Sequence, residues 1–89
     1  MDRMTLGVEE AACRILERLG HKLTDAEVDY EAFDGMHNFI INHAGTRFRV
    51  QFAEQALRRK SVGDLEEAIH KVTERVLSNS TLRSLRYTS

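Results

Sequence analysis

Along residues 5–19 the apolar positions recur with the period of a helix. Val8, Ala12, Ile15 and Leu19 fall at i, i+4, i+7 and i+11, and Ala11 and Leu16 widen the stripe. Thr5 is placed to cap the N-terminus, and Glu9 and Glu10 stand in the first turns, where the helix dipole favours negative charge. Gly20 follows the last periodic residue, which predicts a left-handed C-cap there. Cys13 lies on the border of the stripe.

Over residues 26–52 the period drops to two. Ala26, Val28, Tyr30 and Ala32 alternate with Glu27, Asp29 and Glu31. Asp34-Gly35 then supplies the two-residue turn that best matches strand twist. Closing a hairpin there sets Tyr30 opposite Phe39, Val28 opposite Ile41 and Ala32 opposite His37, all on one face. A second turn at Ala44-Gly45 sets Ile41 opposite Phe48, Phe39 opposite Val50 and His37 opposite Phe52. Ala-Gly is a weaker turn than Asp-Gly, so the second loop has room to take in His43 and Thr46. The registers demanded by the turns are the ones the apolar pattern needs, and the two signals are independent. The other face carries Glu27, Asp29 and Glu31, then Asn38, Ile40 and Asn42, then Arg47, Arg49 and Gln51.

Residues 53–60 suit a short helical turn with Ala56 and Leu57 inward. Asp64-Leu65-Glu66-Glu67 reads as a helix start. Leu65, Ala68, Ile69, Val72, Val76 and Leu77 then make one stripe, and Asn79 suits its end. Residues 79–89 are rich in Ser and Thr and read as a frayed tail, with Leu82 and Leu85 spaced for one further turn. Two amphipathic helices and one sheet face all need cover, and packing both helices on that face satisfies all three. The expectation is an α+β domain over residues 1–78: helix, three-stranded antiparallel meander, helix (α-β-β-β-α), followed by a flexible tail over 79–89.

Composition alters this picture little. The 89 residues suit one domain, with 42% apolar and 30% charged residues and no proline. No apolar run approaches the roughly 20 residues of a membrane span, and the N-terminus lacks the apolar stretch of a signal peptide. One cysteine fits a reducing compartment, so a cytoplasmic protein is expected. Charge matters more. Residues 1–45 hold four Lys/Arg and nine Asp/Glu, a net of −5, and residues 46–89 hold nine Lys/Arg and five Asp/Glu, a net of +4. Such asymmetry marks a nucleic-acid surface or a self-complementary pairing surface, although two solvated faces that differ by chance also produce it.

No nucleophile with its base, metal cluster or phosphate-binding loop stands out, so no enzyme, metal or cofactor is expected. His37 and His43 share a strand face but lie about 20 Å apart, too far to share an ion. His37, opposite Phe52, reads as a boundary histidine at the core edge. Cys13 has no fixed cation arranged to activate it.

Two binding classes remain. The order of elements is that of double-stranded-RNA-binding domains, and Arg47, Arg49 and the run Arg58, Arg59 and Lys60 offer basic contacts. Against this, the expected start of the last helix is acidic at Asp64, Glu66 and Glu67, where that class meets phosphates with basic residues. The net charge of −1 also opposes a phosphate-binding surface. Contact with another protein, or with a second copy as a homodimer, is the leading expectation. Its candidate surface is Asp29, Glu31, Asn38, Ile40, Asn42, Arg47 and Arg49. An acidic first strand set beside a basic third strand of another copy would pair opposite charges.

The stretch Arg49-Val50-Gln51-Phe52-Ala53-Glu54-Gln55-Ala56-Leu57 is a last strand running into a Glu-x-Ala-Leu turn, followed by a polar loop and an amphipathic helix. From Phe33 to about Leu77 the chain resembles a family of short bacterial proteins of no established activity. In that family a polar residue, often Ser, precedes the turn where this chain has Ala53, and the long first helix is not part of the pattern. The resemblance implies a bacterial origin and a small α+β fold, and transfers no site residues.

Overall fold

A computed structural model describes residues 7–88. The fold is α+β; the described residues form three helices and a four-stranded mixed sheet of strand order β1-β2-β3-β4. Helix α1 spans Val8–Lys22 and is capped by the backbone at Gly7. Thr5, the expected cap, lies outside the described residues. The helix runs through Gly20 instead of ending there. Its C-cap is Leu23, which is buried and donates its N–H to the Leu19 carbonyl at 2.9 Å. Leu23 extends the apolar stripe four residues beyond Leu19. Burying it offsets the roughly 1 kcal/mol that a glycine costs inside a helix.

Strands β1 (Ala26–Phe33), β2 (Met36–His43) and β3 (Thr46–Ala53) pair antiparallel. Tyr30 faces Phe39, Val28 faces Ile41 and Ala32 faces His37; across the next pair Ile41 faces Phe48, Phe39 faces Val50 and His37 faces Phe52. These are the registers the turns predict. Asp34 and Gly35 have φ of 54° and 74°, and Ala44 and Gly45 have φ of 52° and 78°. Both turns thus place two successive residues in the left-handed region. His43 and Thr46 are paired strand residues, not loop.

The sheet does not stop at three strands. Residues Ser84–Tyr87 form β4, which pairs parallel to β3 with Val50 opposite Leu85 and Phe52 opposite Tyr87. The Arg49 N–H donates to the Arg83 carbonyl at 2.8 Å. The expected antiparallel meander is therefore part of a larger mixed sheet, and residues 84–87 are strand where a frayed tail was expected. Period-two alternation decides it: Leu85 and Tyr87 pack against the core while Ser84 and Arg86 point away. The Tyr87 ring stacks on Phe52 with centroids 4.6 Å apart.

Between β3 and β4 lie α2 (Glu54–Arg59) and α3 (Val62–Leu77). Helix α3 starts before the expected Asp64. Ser61 is its N-cap, and its Oγ accepts the Asp64 N–H at 3.2 Å. At the other end Asn79 takes φ 54°, Asn79 N–H donates to the Val76 carbonyl and Ser80 N–H to the Arg75 carbonyl, the paired bonds of a Schellman motif. Ala11, Ala12, Ile15 and Leu19 of α1 and Leu65, Ala68, Ile69, Val72 and Val76 of α3 form one buried cluster with Phe39, Ile41, Phe48, Val50 and Phe52, whereas Leu77, expected on the α3 stripe, is exposed. Glu66 of α3 ties the helices together by accepting Arg14 Nε at 2.9 Å and pairing with Arg18 Nη2 at 3.1 Å. Burial pushes the Glu66 carboxyl up, but the hydrogen bonds from Arg14 and Arg18 prevail and hold it below the usual carboxylate range.

Candidate functional site

Among the described residues, the helices lie against one face of the sheet and leave the other face open. Alternation along the strands puts all seven candidate residues on it. Asp29 and Glu31 are exposed on β1, Asn38, Ile40 and Asn42 are half-buried on β2, and Arg47 and Arg49 are exposed on β3. The register arranges them in rows across the sheet. One row runs Asp29, Ile40, Arg49, Ser84; the next runs Glu31, Asn38, Gln51, Arg86; a third runs Glu27, Asn42, Arg47. Charge therefore grades across the face from carboxylates on β1, through amides on β2, to guanidinium groups on β3 and β4.

Hydrogen bonds order the middle of this face. Gln51 Nε2 donates to Asn38 Oδ1 at 2.7 Å, and Arg86 Nε and Nη2 both donate to Gln51 Oε1, at 3.3 and 3.2 Å. Arg47 Nε reaches Asn42 Oδ1 at 3.4 Å. Ile40 sits between Asp29 and Arg49, half-buried by its neighbours. Two further residues belong to this face. Arg86 lies in the stretch expected as a tail, and its alternation with Leu85 and Tyr87 is the signal that places it here. Phe33 ends β1 opposite Met36 and is 73% exposed, so it gives the face an apolar corner.

The alternative basic contacts lie elsewhere. Helix α2 packs through Ala56 and Leu57 on the covered side of the sheet, away from the face that carries Arg47 and Arg49. Arg58 and Arg59 are exposed near its end. Arg58 Nη2 is held by Glu54 Oε2 at 2.6 Å, and Lys60 Nζ sits 5.5 Å from the centre of the Tyr87 ring. The run in sequence is not one patch in space joined to the sheet arginines. At the start of α3, Asp64 and Glu67 are exposed.

The expected pairing of one copy's first strand with another's third meets an obstacle, because β4 occupies the edge of β3 from Arg49 to Phe52. Among the described residues, no strand pairs with the outer edges of β1 and β4.

His37 is buried at the rim of the core. Its Nδ1 lies 2.6 Å from the Tyr30 hydroxyl, and its Nε2 is 3.9 Å from Glu54 Oε1. The structure thus brings His37 close to a carboxylate. The nearby crevice is lined by Glu9, Ala12, Cys13, Leu16 and Tyr30 and does not include His37. Burial, with Cys13 and Glu9 nearby, raises the Tyr30 phenol above its ordinary value. Among the described residues no three His, Cys, Asp or Glu side chains converge to hold a metal ion, and no helix is long and apolar enough to cross a membrane. Comparison with family models and with curated proteins finds no match to this chain.

Proposed function

We propose that this chain is a non-enzymatic interaction module that binds another protein, or a second copy of itself, through the open face of its sheet. The charge gradient from β1 to β4 carries the reading. Two copies stacked face to face about a two-fold axis parallel to the strands set β1 of each against β4 of the other, carboxylates over guanidinium groups. A two-fold across the strands sets β1 on β1 and is disfavoured by like charge. The exposed ring of Phe33 at one corner supplies an apolar anchor of the kind that contributes most to protein interfaces. The complementarity is between exposed charges, so the association is salt-sensitive. Light scattering across a concentration series at low and high salt tests the self-association version. Dimers at low salt that dissolve at high salt support it, and a strict monomer at high concentration and low salt rules it out.

A second reading, nucleic-acid binding, gains one observation: Arg86 joins Arg47 and Arg49 on the same half of the open face. The carboxylates of β1 on the same face and the acidic start of α3 weigh against it. A salt-dependent shift with duplex RNA would support it if replacing Arg47, Arg49 and Arg86, or Arg58, Arg59 and Lys60, abolished the shift. No binding at low ionic strength would end it.

A further inference from the structure

The edge of β1 combines three features. The first is unpaired backbone. The two-residue turn at Asp34-Gly35 makes Phe33 and Met36 a hydrogen-bonded pair, so bonding alternates back along β1. Glu27, Asp29 and Glu31 bond to β2, whereas Val28, Tyr30 and Ala32 turn their N–H and C=O groups to the free edge. The strand is eight residues long and contains no proline or lysine, the usual blocks to edge pairing.

The second feature is a strip of the apolar face that the other described residues leave uncovered. Tyr30 and Ala32 point to the helix side but are exposed, Tyr30 by 38%. Beside them lies a crevice of ≈ 310 Å³, floored by Ala12, Cys13 and Leu16 of α1 and walled by Tyr30. The third feature is charge on both sides of this edge. Glu27, Asp29 and Glu31 stand exposed on the open face; Glu9, at the crevice, and Glu17, one turn beyond Cys13, stand exposed on α1.

We propose that the β1 edge and its crevice bind an extended segment of a partner protein in which Arg or Lys alternates with apolar residues, added as a further strand of the sheet. The proposal rests on the reading of the chain as an interaction module and names the class of partner. Residues opposite Val28, Tyr30 and Ala32 share their face and drop apolar side chains into the crevice. Residues opposite Glu27, Asp29 and Glu31 place cations over the carboxylates. An acidic segment is repelled from both sides. The opposite edge of the sheet already accepts a strand of this kind: β4 puts Leu85 and Tyr87 on the core and Arg86 on the open face.

The test uses the full chain and a capped ten-residue synthetic peptide alternating Arg with Leu and Val. A second peptide carries the same residues sorted into an Arg block and an apolar block. Hydrogen exchange and alkylation of Cys13 report where the peptide sits. Saturation with the alternating peptide is expected to slow exchange at Val28, Tyr30 and Ala32 and to slow Cys13 alkylation about fivefold. Raising salt from about 50 to about 300 mM is expected to weaken binding about tenfold. Ala32→Pro removes an outward N–H, and Asp29→Lys with Glu31→Lys reverses the charge. Each is expected to cut affinity about tenfold with the circular dichroism spectrum unchanged. Equal binding of the block peptide, or unchanged exchange along β1 at saturation, overturns the proposal. So does protection of β1 that rises with protein concentration alone, which assigns the edge to a second copy. Failure of the peptide alongside salt-sensitive dimers removes this proposal and leaves the module reading; failure of both removes this proposal and the self-association version of that reading.

Discussion

The two sides of the sheet carry similar alternating sequences and are covered to different degrees: Ala26 and Val28 of β1 pack against the core as Leu85 and Tyr87 of β4 do, but Tyr30 and Ala32 stand exposed. At the β3–β4 edge the inward residues Val50 and Phe52 are buried, and Leu85 and Tyr87 pack over them. At the β1 edge, Tyr30 and Ala32 occupy equivalent inward positions and are exposed. Alternation tells which way a side chain points, but burial depends on what lies above it. Helices α2 and α3 and strand β4 follow β3 in the chain and close over that side. Near β1 the cover is α1, which leaves the crevice at Tyr30.

The largest expected break in this contrast is Phe52→Ala. It empties a fully buried site under Tyr87 and is expected to cost about 3–5 kcal/mol in urea unfolding, a large share of the stability of so small a domain. Tyr87→Ala removes the stack on Phe52 and the ring beneath Lys60. It is expected to cost about 2 kcal/mol and to speed hydrogen exchange in β4 before the other strands.

The ion pairs that hold α1 to α3 respond to pH. The Glu66 carboxyl is depressed in the folded state, so its stabilisation is present above the ordinary carboxylate range and is lost as pH falls through its folded value. Because the group is partly exposed, Glu66→Gln is expected to cost less than about 1 kcal/mol at neutral pH. The gap to wild type should close when unfolding is repeated at acid pH. The smallest effect on stability belongs to the β1 side. Phe33→Ala is expected to change unfolding free energy by under about 0.5 kcal/mol, yet to weaken low-salt dimers measurably by light scattering. A large loss of stability there would show that the β1 edge is not the loose side.

The legible parts of the fold were those with two independent local signals. Strand registers were set by turn chemistry and by the apolar face together, and the seven open-face residues followed from the register. Helix ends were less legible. Gly20 looked like a stop, but Leu23 is spaced to carry the stripe onward. Asp64 looked like a start, although Ser61 three residues earlier makes the capping bond. Strand β4 was hidden because four alternating residues with no flanking turn resemble a tail, and the Leu82–Leu85 spacing suggested helix. Leu82 is in fact exposed.

Local order in the chain therefore determined the turns, the registers, the amphipathic stripes and the polar face, since each rests on periodicity within a short span. Tertiary structure alone decided that residues 84–87 return beside β3, that Arg86 completes the basic half of the open face, and that Tyr30 and Ala32 of β1 stay exposed. Those outcomes depend on long-range packing, where a strand pairs only if an edge is free and its apolar side finds a core to join.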